Sequence, residues 1–537
     1  MANPSLQIGN TKWAIKKDNE LGYSTSGTRF FPIPITMNRA SAGTRVNSAG
    51  LVETVELLGS ELITNGDFST DASWTKGTGW TISGGSANCD GTQSGNTDLS
   101  QNITTDTGKQ YKITYTVSNY SAGSIFIRLN SGNVTSTKSS NGTFTEILSG
   151  AGGTQVILRA NLDFIGSVDN VSVKEITRND LARVDYTGSV SSLLVEPQRT
   201  NLVTYSEDFS DSSWTKLGAG TGSTAVITSN YAISPDGTQN ATRLVCDLNG
   251  GTTTSDQSLI YDLDSSNTSQ SISIYIKSNT GSNQNIYFAN TFGTGDTSIV
   301  TSDWQRFEFN HSTSNHTFSL GLRGNTGADD TADILIWCAQ SESGSYATSY
   351  IPTSGLTVTR VKDQFTKTGI SNKINSEEGV LFVEMAALAN DSTNRMLSLY
   401  ASGNDKLTLF YKTASNSMTV QGFVGGGLQI NRTIVLTDIT KFSKIAIRYK
   451  INDFAWFVDG NKITDDTSTN TWSANTLNKL SFDDGSSGNP LFAKVKQLQV
   501  FKTALSDDEL TILTGTSGVD FYPSYADMAS ALTYKIQ

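Results

Sequence analysis

The phrase LITNGDFSTDASWTK, which ends at Lys76, returns as LVTYSEDFSDSSWTK, ending at Lys216, about 140 residues later. Such a duplication implies two homologous modules, each of which has to close a core of its own. Between the two copies Tyr111, Ile113, Tyr115 and Val117 alternate with polar residues, as do Ile125, Ile127 and Leu129. After the second copy the same alternation runs through Ile272, Ile274 and Ile276, then Phe318, Leu320 and Leu322, then Ile334, Ile336 and Cys338. A period of two places every second side chain on one face of a strand, so both modules read as β-sandwiches.

Composition agrees with that reading. Hydrophobic residues are 36% of the chain and charged residues 17%, with 48 glycines. β-Branched Thr suits pleated strands, and Gly, Asn and Asp supply the turns between them. The 9% of aromatic residues argues for packed sheets over disorder. At 537 residues the chain exceeds one hydrophobic core. The net charge of −11 carries no block of like sign, which argues against a nucleic acid as partner. From Met1 to Val52 the balance reverses: Lys12, Lys16, Lys17, Arg29, Arg39 and Arg45 face Asp18 and Glu20, or 6 − 2 = +4. The opening MANPSLQIGNTKW has no apolar signal region and no run approaches roughly 18 apolar residues, so neither secretion by signal nor membrane insertion is expected. Cys89, Cys246 and Cys338 are odd in number and far apart, which suits buried side chains better than disulfides or a metal site.

A third alternating pattern starts at Gly379 with Leu381, Val383 and Met385, and continues through Ile445, Ile447, Tyr449 and Ile451. Asp459-Gly460 between apolar runs predicts a hairpin, and Ser506 with Glu509 predicts a capping box. The expected organisation is an N-terminal arm (1–58), a sandwich module (59–177), a connector (178–202), a second sandwich module (203–360), a third β domain (370–515) and a tail (516–537). Pro4, Pro32 and Pro34 leave the arm little alternation, so it is expected to be an assembly arm held by neighbouring chains.

Three segments carry family resemblances. The opening NGDF-x-W phrase, with VDNVSVKEI closing the module near 176, resembles jelly-roll carbohydrate-binding modules of the 4/9/22 type. SLLVEPQRTNLVTYSEDFSDSSWTK and ILIWCAQSESGSYATSYIPTSG resemble a segment widespread in bacteriophage virion proteins, and NRASAGTRVNSAGLVE resembles the piece that often precedes it. AWFVDGNKI and KVKQLQVFKTALSDDEL, over about 370–515, resemble the concanavalin A-like, laminin-G-like lectin fold. The fold class expected is all-β: tandem jelly-roll sandwiches, then a concanavalin A-like sandwich.

The first resemblance implies a structural calcium between the first and last strands, for which Asp67 and Asp169 are the nearest matches, although Ser69 stands where the family usually has an acid. Sugar binding uses exposed aromatic rings as platforms. Trp74 and Trp214 recur at equal places and read as core, whereas Trp80, Tyr120 and Trp472 have polar neighbours and are the glycan-binding candidates. The two histidines, His311 and His316, lack the spacing of a helical metal or base pair. The acid pairs Asp329-Asp330, Asp465-Asp466 and Asp483-Asp484 sit among turn residues, and calcium ligation or catalysis ranks below a turn role. Taken together, these readings lead to an expected non-enzymatic bacteriophage virion protein: a tail or head fibre, spike or decoration that docks on its particle through the N-terminal arm and binds host-surface polysaccharide as a homo-oligomer, a trimer by analogy with phage fibres. The alternatives are a purely structural tail or capsid component and a polysaccharide depolymerase.

Overall fold

The computed structural model describes residues 2–9, 20–26, 29–130, 132–264, 269–291, 294–311 and 316–515. The tail 516–537 and the basic residues Lys12, Lys16 and Lys17 lie outside the described residues, as do the side chains of His311 and His316. The described residues form forty strands and a single helix, so the protein is all-β. It divides into two compact units, each built from separated stretches of chain.

One unit, residues 40–181 and 198–361, contains both repeats. In the first sandwich one sheet runs in the order Ile125–Leu129, Gly153–Ala160, Thr97–Thr105, Thr75–Lys76. The other runs Gly142–Ser149, Gln110–Ala122, Ile165–Arg178, Ser86–Asp90, Trp80–Ser83. The second sandwich repeats this order strand for strand. Thr215–Ala219, Gln257–Asp264, His316–Arg323 and Gln284–Thr291 form one sheet, extended by Thr294–Val300. Val226–Ala232, Ala241–Asp247, Thr331–Ser343, Gln270–Ser278 and Gln305–His311 form the other. Most of the alternating side chains expected to face inward do so: Ile113, Tyr115, Val117, Ile125, Ile127 and Leu129 are buried in the first core, and Ile272, Ile274, Ile276, Leu320 and Ile336 in the second. Cys338 does not, because a register shift and a φ of +61° turn it to the other face, against Trp337 and Tyr350.

Trp74 and Trp214 hold the same place in each module. Each indole N–H donates to the carbonyl nine residues upstream, Asn65 at 3.0 Å and Tyr205 at 2.8 Å. Each ring lies against the phenylalanine of its phrase, Phe68 at 5.2 Å and Phe209 at 4.9 Å between centroids.

The other unit, residues 1–39, 182–197 and 362–537, changes the expected organisation. Its strands follow one hydrogen-bonded path. From Gly427–Val435 the path passes through Ser417–Val424, Asp405–Tyr411, Arg395–Ser402, Lys479–Ser481 and Gln364–Lys367. It then takes in Arg29–Asn38, Glu20–Ser26 and Leu6–Gly9 before Ala493–Phe501, Glu378–Ala387, Ser443–Lys450, Phe454–Val458 and Asn461–Asp466. The described residues of 1–39 therefore form three strands that join the two sheets of the concanavalin A-like sandwich, and not a detached arm. Leu6 lies opposite Val500 and Ile8 opposite Leu498, and both are fully buried. Residues 40–58 belong to the other unit, where Val52 packs with Trp337, Cys338 and Tyr350.

Residues 182–197 of the connector are likewise part of this sandwich, whereas 178–181 and 198–202 belong to the other unit. Arg183–Thr187 and Val190–Val195 form a hairpin, and Leu193 to Val195 pair with Ala493 to Val495. The hairpin expected at Asp459-Gly460 is present, with φ of +48° and +83° at the two turn residues. The helix Asp507–Thr514 starts with the expected capping box of Ser506 and Glu509, and buries Leu510 against Val380, Phe382 and Phe501.

Candidate functional site: an open sheet face of the first sandwich

Trp80 and Trp472 are core side chains, which overturns their reading as sugar platforms. Trp80 is 4% exposed on a strand whose inward positions are Trp80 and Ile82, and it packs on Phe164 at 6.3 Å. Trp472 is 2% exposed, donates its indole N–H to Phe423 O at 2.7 Å and meets Tyr449 edge-on at 5.6 Å. A buried ring has no face for a sugar. Tyr120 is partly buried, packs on the same Phe164 at 6.4 Å and ties its hydroxyl to Gly123 O at 3.0 Å. The fold thus brings Trp80 and Tyr120 together, but as packing around one phenylalanine.

The calcium ligands fit no better. The first and last strands of the module do meet, since Val171 N–H donates to Gly66 O at 2.9 Å. The Asp67 carboxylate, however, accepts from Ser69 N–H, and Asp169 accepts from both N–H groups of Asn170. No group of three His, Cys, Asp or Glu side chains among the described residues is placed to hold a metal. Each carboxylate thus turns to a local donor, and Ser69 stands where a third acid would complete the set.

The acid pairs are also held locally. Asp329 accepts from the backbone and side chain of Asn285, and Asp330 from Gly250 N–H. Asp465 pairs with Lys462, and Asp466 accepts from Ser468 N–H. Asp483 takes Gly485 N–H, and Asp484 takes Ser486 and Gly488 N–H groups. Bonds from these donors keep the Asp484 carboxyl below the ordinary carboxylate range against the opposing effect of burial. Asp329-Asp330 and Asp483-Asp484 lie in loop and bend positions outside the strands, whereas Asp465-Asp466 ends the strand Asn461–Asp466 and is not a turn pair.

A different set of residues converges on the four-stranded sheet of the first sandwich. Leu99, Val156, Leu158, Ile125, Ile127 and Leu129 point into the core, so the residues between them point outward. Register then aligns them in rows. Phe126 lies opposite Arg159, which lies opposite Asp98. In the next row Arg128 is opposite Ile157, Ile157 opposite Ser100, and Ser100 opposite Thr75. Gln155 lies opposite Asn102 in the third. Arg159 grips Asp98 with two bonds of 2.7 Å, the fork geometry that fixes both side chains. Those bonds hold the Arg159 guanidinium above its ordinary pKa. Ile157 is buried although it faces outward, which requires the longer side chains beside it to stand over it.

Alternation along Ile125–Leu129 and Thr97–Thr105 was the available signal for these residues. No contiguous motif marks them, because the set is assembled from three strands by register alone.

The second sandwich shows what the same face becomes when it is filled. Lys76 lies opposite Leu99 and Lys216 opposite Ile260, which makes the two ladders equivalent from the shared Trp-Thr-Lys. Counting along them, Asp98 corresponds to Leu259, Arg159 to Gly321, Phe126 to Tyr287 and Arg128 to Ala289. Leu259, Tyr287 and Ala289 are buried in an apolar cluster with Leu217, Tyr261 and Ala328 packed on it. Gly321 is required there: its φ is +147°, and a Cβ would stand 2.6 Å from the Leu259 Cα. One face is polar and open, and its counterpart is apolar and closed.

No family model matches the sequence, and no curated protein matches it. Among solved structures the chain is similar to domain 4 of an extracellular GH43 arabinanase from Geobacillus stearothermophilus, solved with arabinotriose. Identity there is 8%, the match covers 32% of this chain and 82% of that one, and the TM-score is 0.25. It is similar to an N-terminal tandem of CBM22 modules from Paenibacillus barcinonensis at 12% identity, covering 53% and 98%, with a TM-score of 0.19. Laminin α1 domains LG4-5 from mouse match at 11% identity, covering 57% and 96%, also with a TM-score of 0.19.

Proposed function

We propose that the protein is a non-catalytic bacteriophage virion component, a fibre, spike or surface decoration, whose first sandwich binds host-surface glycan. The observation that carries the binding half is the outward face of Phe126, Arg128, Arg159, Asp98, Ser100, Gln155 and Asn102. Planar amides, a hydroxyl, a carboxylate and guanidinium groups are the hydrogen-bond partners that sugar hydroxyls need, and Phe126 adds an apolar ring beside them. All stand on strands, so their positions are fixed before a ligand arrives. The virion half rests on the phage-like phrases of the sequence. A single shallow face holds a sugar weakly, at about −4 kcal/mol for a millimolar constant. A homo-oligomer, for which a trimer is the proposal, turns weak faces into firm attachment by raising avidity roughly 10²–10⁴ fold.

The test is binding of the full chain to host-surface polysaccharide, with Phe126→Ala plus Gln155→Ala as the variant. We expect the double variant to keep its melting profile and lose at least about ten-fold in affinity, the share of one good hydrogen bond and a ring contact. Unchanged binding by the variant would remove this face from the reading.

A second reading, a purely structural component, is favoured by the fate of the phage-like phrase in the second module. Asn201 donates to Ala339 O and Ile351 O and accepts from Val203 and Ser341 N–H groups. Gln340 bonds Thr348 O and Ile351 N–H, and Glu342 holds Thr348. These residues are buried and saturated, so the phrase holds the two ends of its module together. A full chain located in purified particles that binds no host polysaccharide would favour this reading.

A further inference from the structure

The open face of the first sandwich carries two cations and one anion, Arg128 and Arg159 against Asp98, or 2 − 1 = +1. Arg159 is held by its two bonds to Asp98. Arg128 is not: its nearest carboxylate oxygen, Asp98 Oδ2, is 3.7 Å away, outside hydrogen-bond range. Its Nε is buried and has no hydrogen-bond partner. Elsewhere in this module Lys76, Lys109, Lys112 and Lys138 each hold a carboxylate within 3.1 Å, while Lys174 stands 3.7 Å from Glu61.

General attraction to polyanions does not account for the surplus, because the whole chain is at −11. Nor does the fold require it, because the duplicate module builds the same sheet with Gly321, Leu259 and Ala289 at the three charged positions. The charge belongs to this face.

Resting on the glycan-binding reading, we infer that the face selects an acidic glycan, one whose sugar carboxylate is accepted by Arg128. The carboxylate takes the terminal N–H groups of Arg128, which Asp98 holds in a 3.7 Å ion pair but does not hydrogen-bond. Ser100, Asn102 and Gln155, in the same and the following row, meet the hydroxyls of the ring. Asp98 remains on Arg159 and keeps that guanidinium in place.

The experiment titrates the full chain, in about 0.15 M salt so that long-range charge is screened, with oligogalacturonate fragments and with the same fragments after carboxyl reduction. The expected result is at least about ten-fold tighter binding of the acid form, lost in Arg128→Gln, whose melting profile stays that of the parent. Asp98→Asn raises the local charge from +1 to +2 and should shift the ratio of the two affinities further toward the acid form. Equal binding of the two fragments overturns the acidic-ligand inference and leaves the glycan reading standing. Tighter binding of the acid form that persists in Arg128→Gln overturns the role of Arg128. Binding of neither fragment, together with no binding of host polysaccharide, overturns the glycan reading and this inference with it.

Discussion

At the scale of single residues, polarity of sequence neighbours proved a poor guide to exposure. Trp80 and Trp472 stand among Gly, Thr, Ser and Asn, yet both are core, because a strand alternates its faces and a polar neighbour occupies the other one. Trp74 and Trp214 were legible as core, since recurrence at equal places reports packing directly. Buried polar residues were the least legible, and one of them sets a pH response. Glu207 is partly buried beside Asp236, Cys338 and Tyr350. It accepts from Tyr350 Oη at 2.7 Å, and from Asn240 Nδ2, which Asp236 shares. Burial pushes its carboxyl up from 4.5 to about 7, with the Asp236 charge adding to the effect. Between those values the folded protein holds a proton that the unfolded chain releases, so stability is complete below about 4.5 and falls as pH rises through 7. The loss is about 1–3 kcal/mol for a partly buried group. We expect the unfolding midpoint of the second sandwich to drop between pH 5.5 and pH 8, and Glu207→Gln, which keeps an acceptor for Tyr350, to remove most of that drop. A Glu207→Gln variant with the parent's pH slope would disprove the assignment.

At the scale of elements, what the sequence shows well is any strand whose pattern and partner are close together. The Asp459-Gly460 hairpin and the capping box of Ser506 and Glu509 need only local chemistry, and both stand where expected. The N-terminal strands were misread because their partners lie far along the chain and because Pro32 and Pro34 argue against a strand interior. The structure reconciles the prolines: Arg29–Asn38 pairs with Gln364–Lys367 through Thr36 to Asn38, so among the described residues the far edge at Pro32 and Pro34 has no strand to serve. The first strand is as much core as any other. Ile8→Ala should destabilise the concanavalin A-like unit by about 2–5 kcal/mol, the range for truncating a buried aliphatic side chain. A residue of a loose arm would change stability by less than about 0.5 kcal/mol in the same denaturant titration.

At the scale of the whole molecule, the chain passes between its two units four times, at 39–40, 181–182, 197–198 and 361–362. Four charged residues, each within two positions of a crossing, meet inside the concanavalin A-like unit. Arg39 bonds Asp363 at 2.8 Å, Arg183 bonds Glu196 at 2.5 Å, and Arg183 also pairs with Asp363. All four are buried. A buried ion cluster with two charges of each sign avoids the cost of a lone buried charge only while every member is present. The three segments of this unit are thus made to depend on one another, a fact invisible to any reading of 370–515 as a separate domain. That fragment would lack Leu6, Ile8, Ile33, Ile35, Met37, Ala182, Leu193, Val195 and Phe365 from its core. At about 1.5–3 kcal/mol for each large side chain the loss exceeds the 5–15 kcal/mol that keeps an ordinary domain folded. Residues 370–515 expressed alone should therefore show no cooperative thermal transition and should aggregate through the edge of Ala493–Phe501 left bare by the missing strands. A chain joining 1–39, 182–197 and 362–515 through flexible linkers restores both the strands and the ion cluster, and it should melt cooperatively. A sharp transition in the short fragment at the temperature of the joined chain would show that the N-terminal strands and the hairpin are dispensable, and that the lectin-like sandwich closes its core without them.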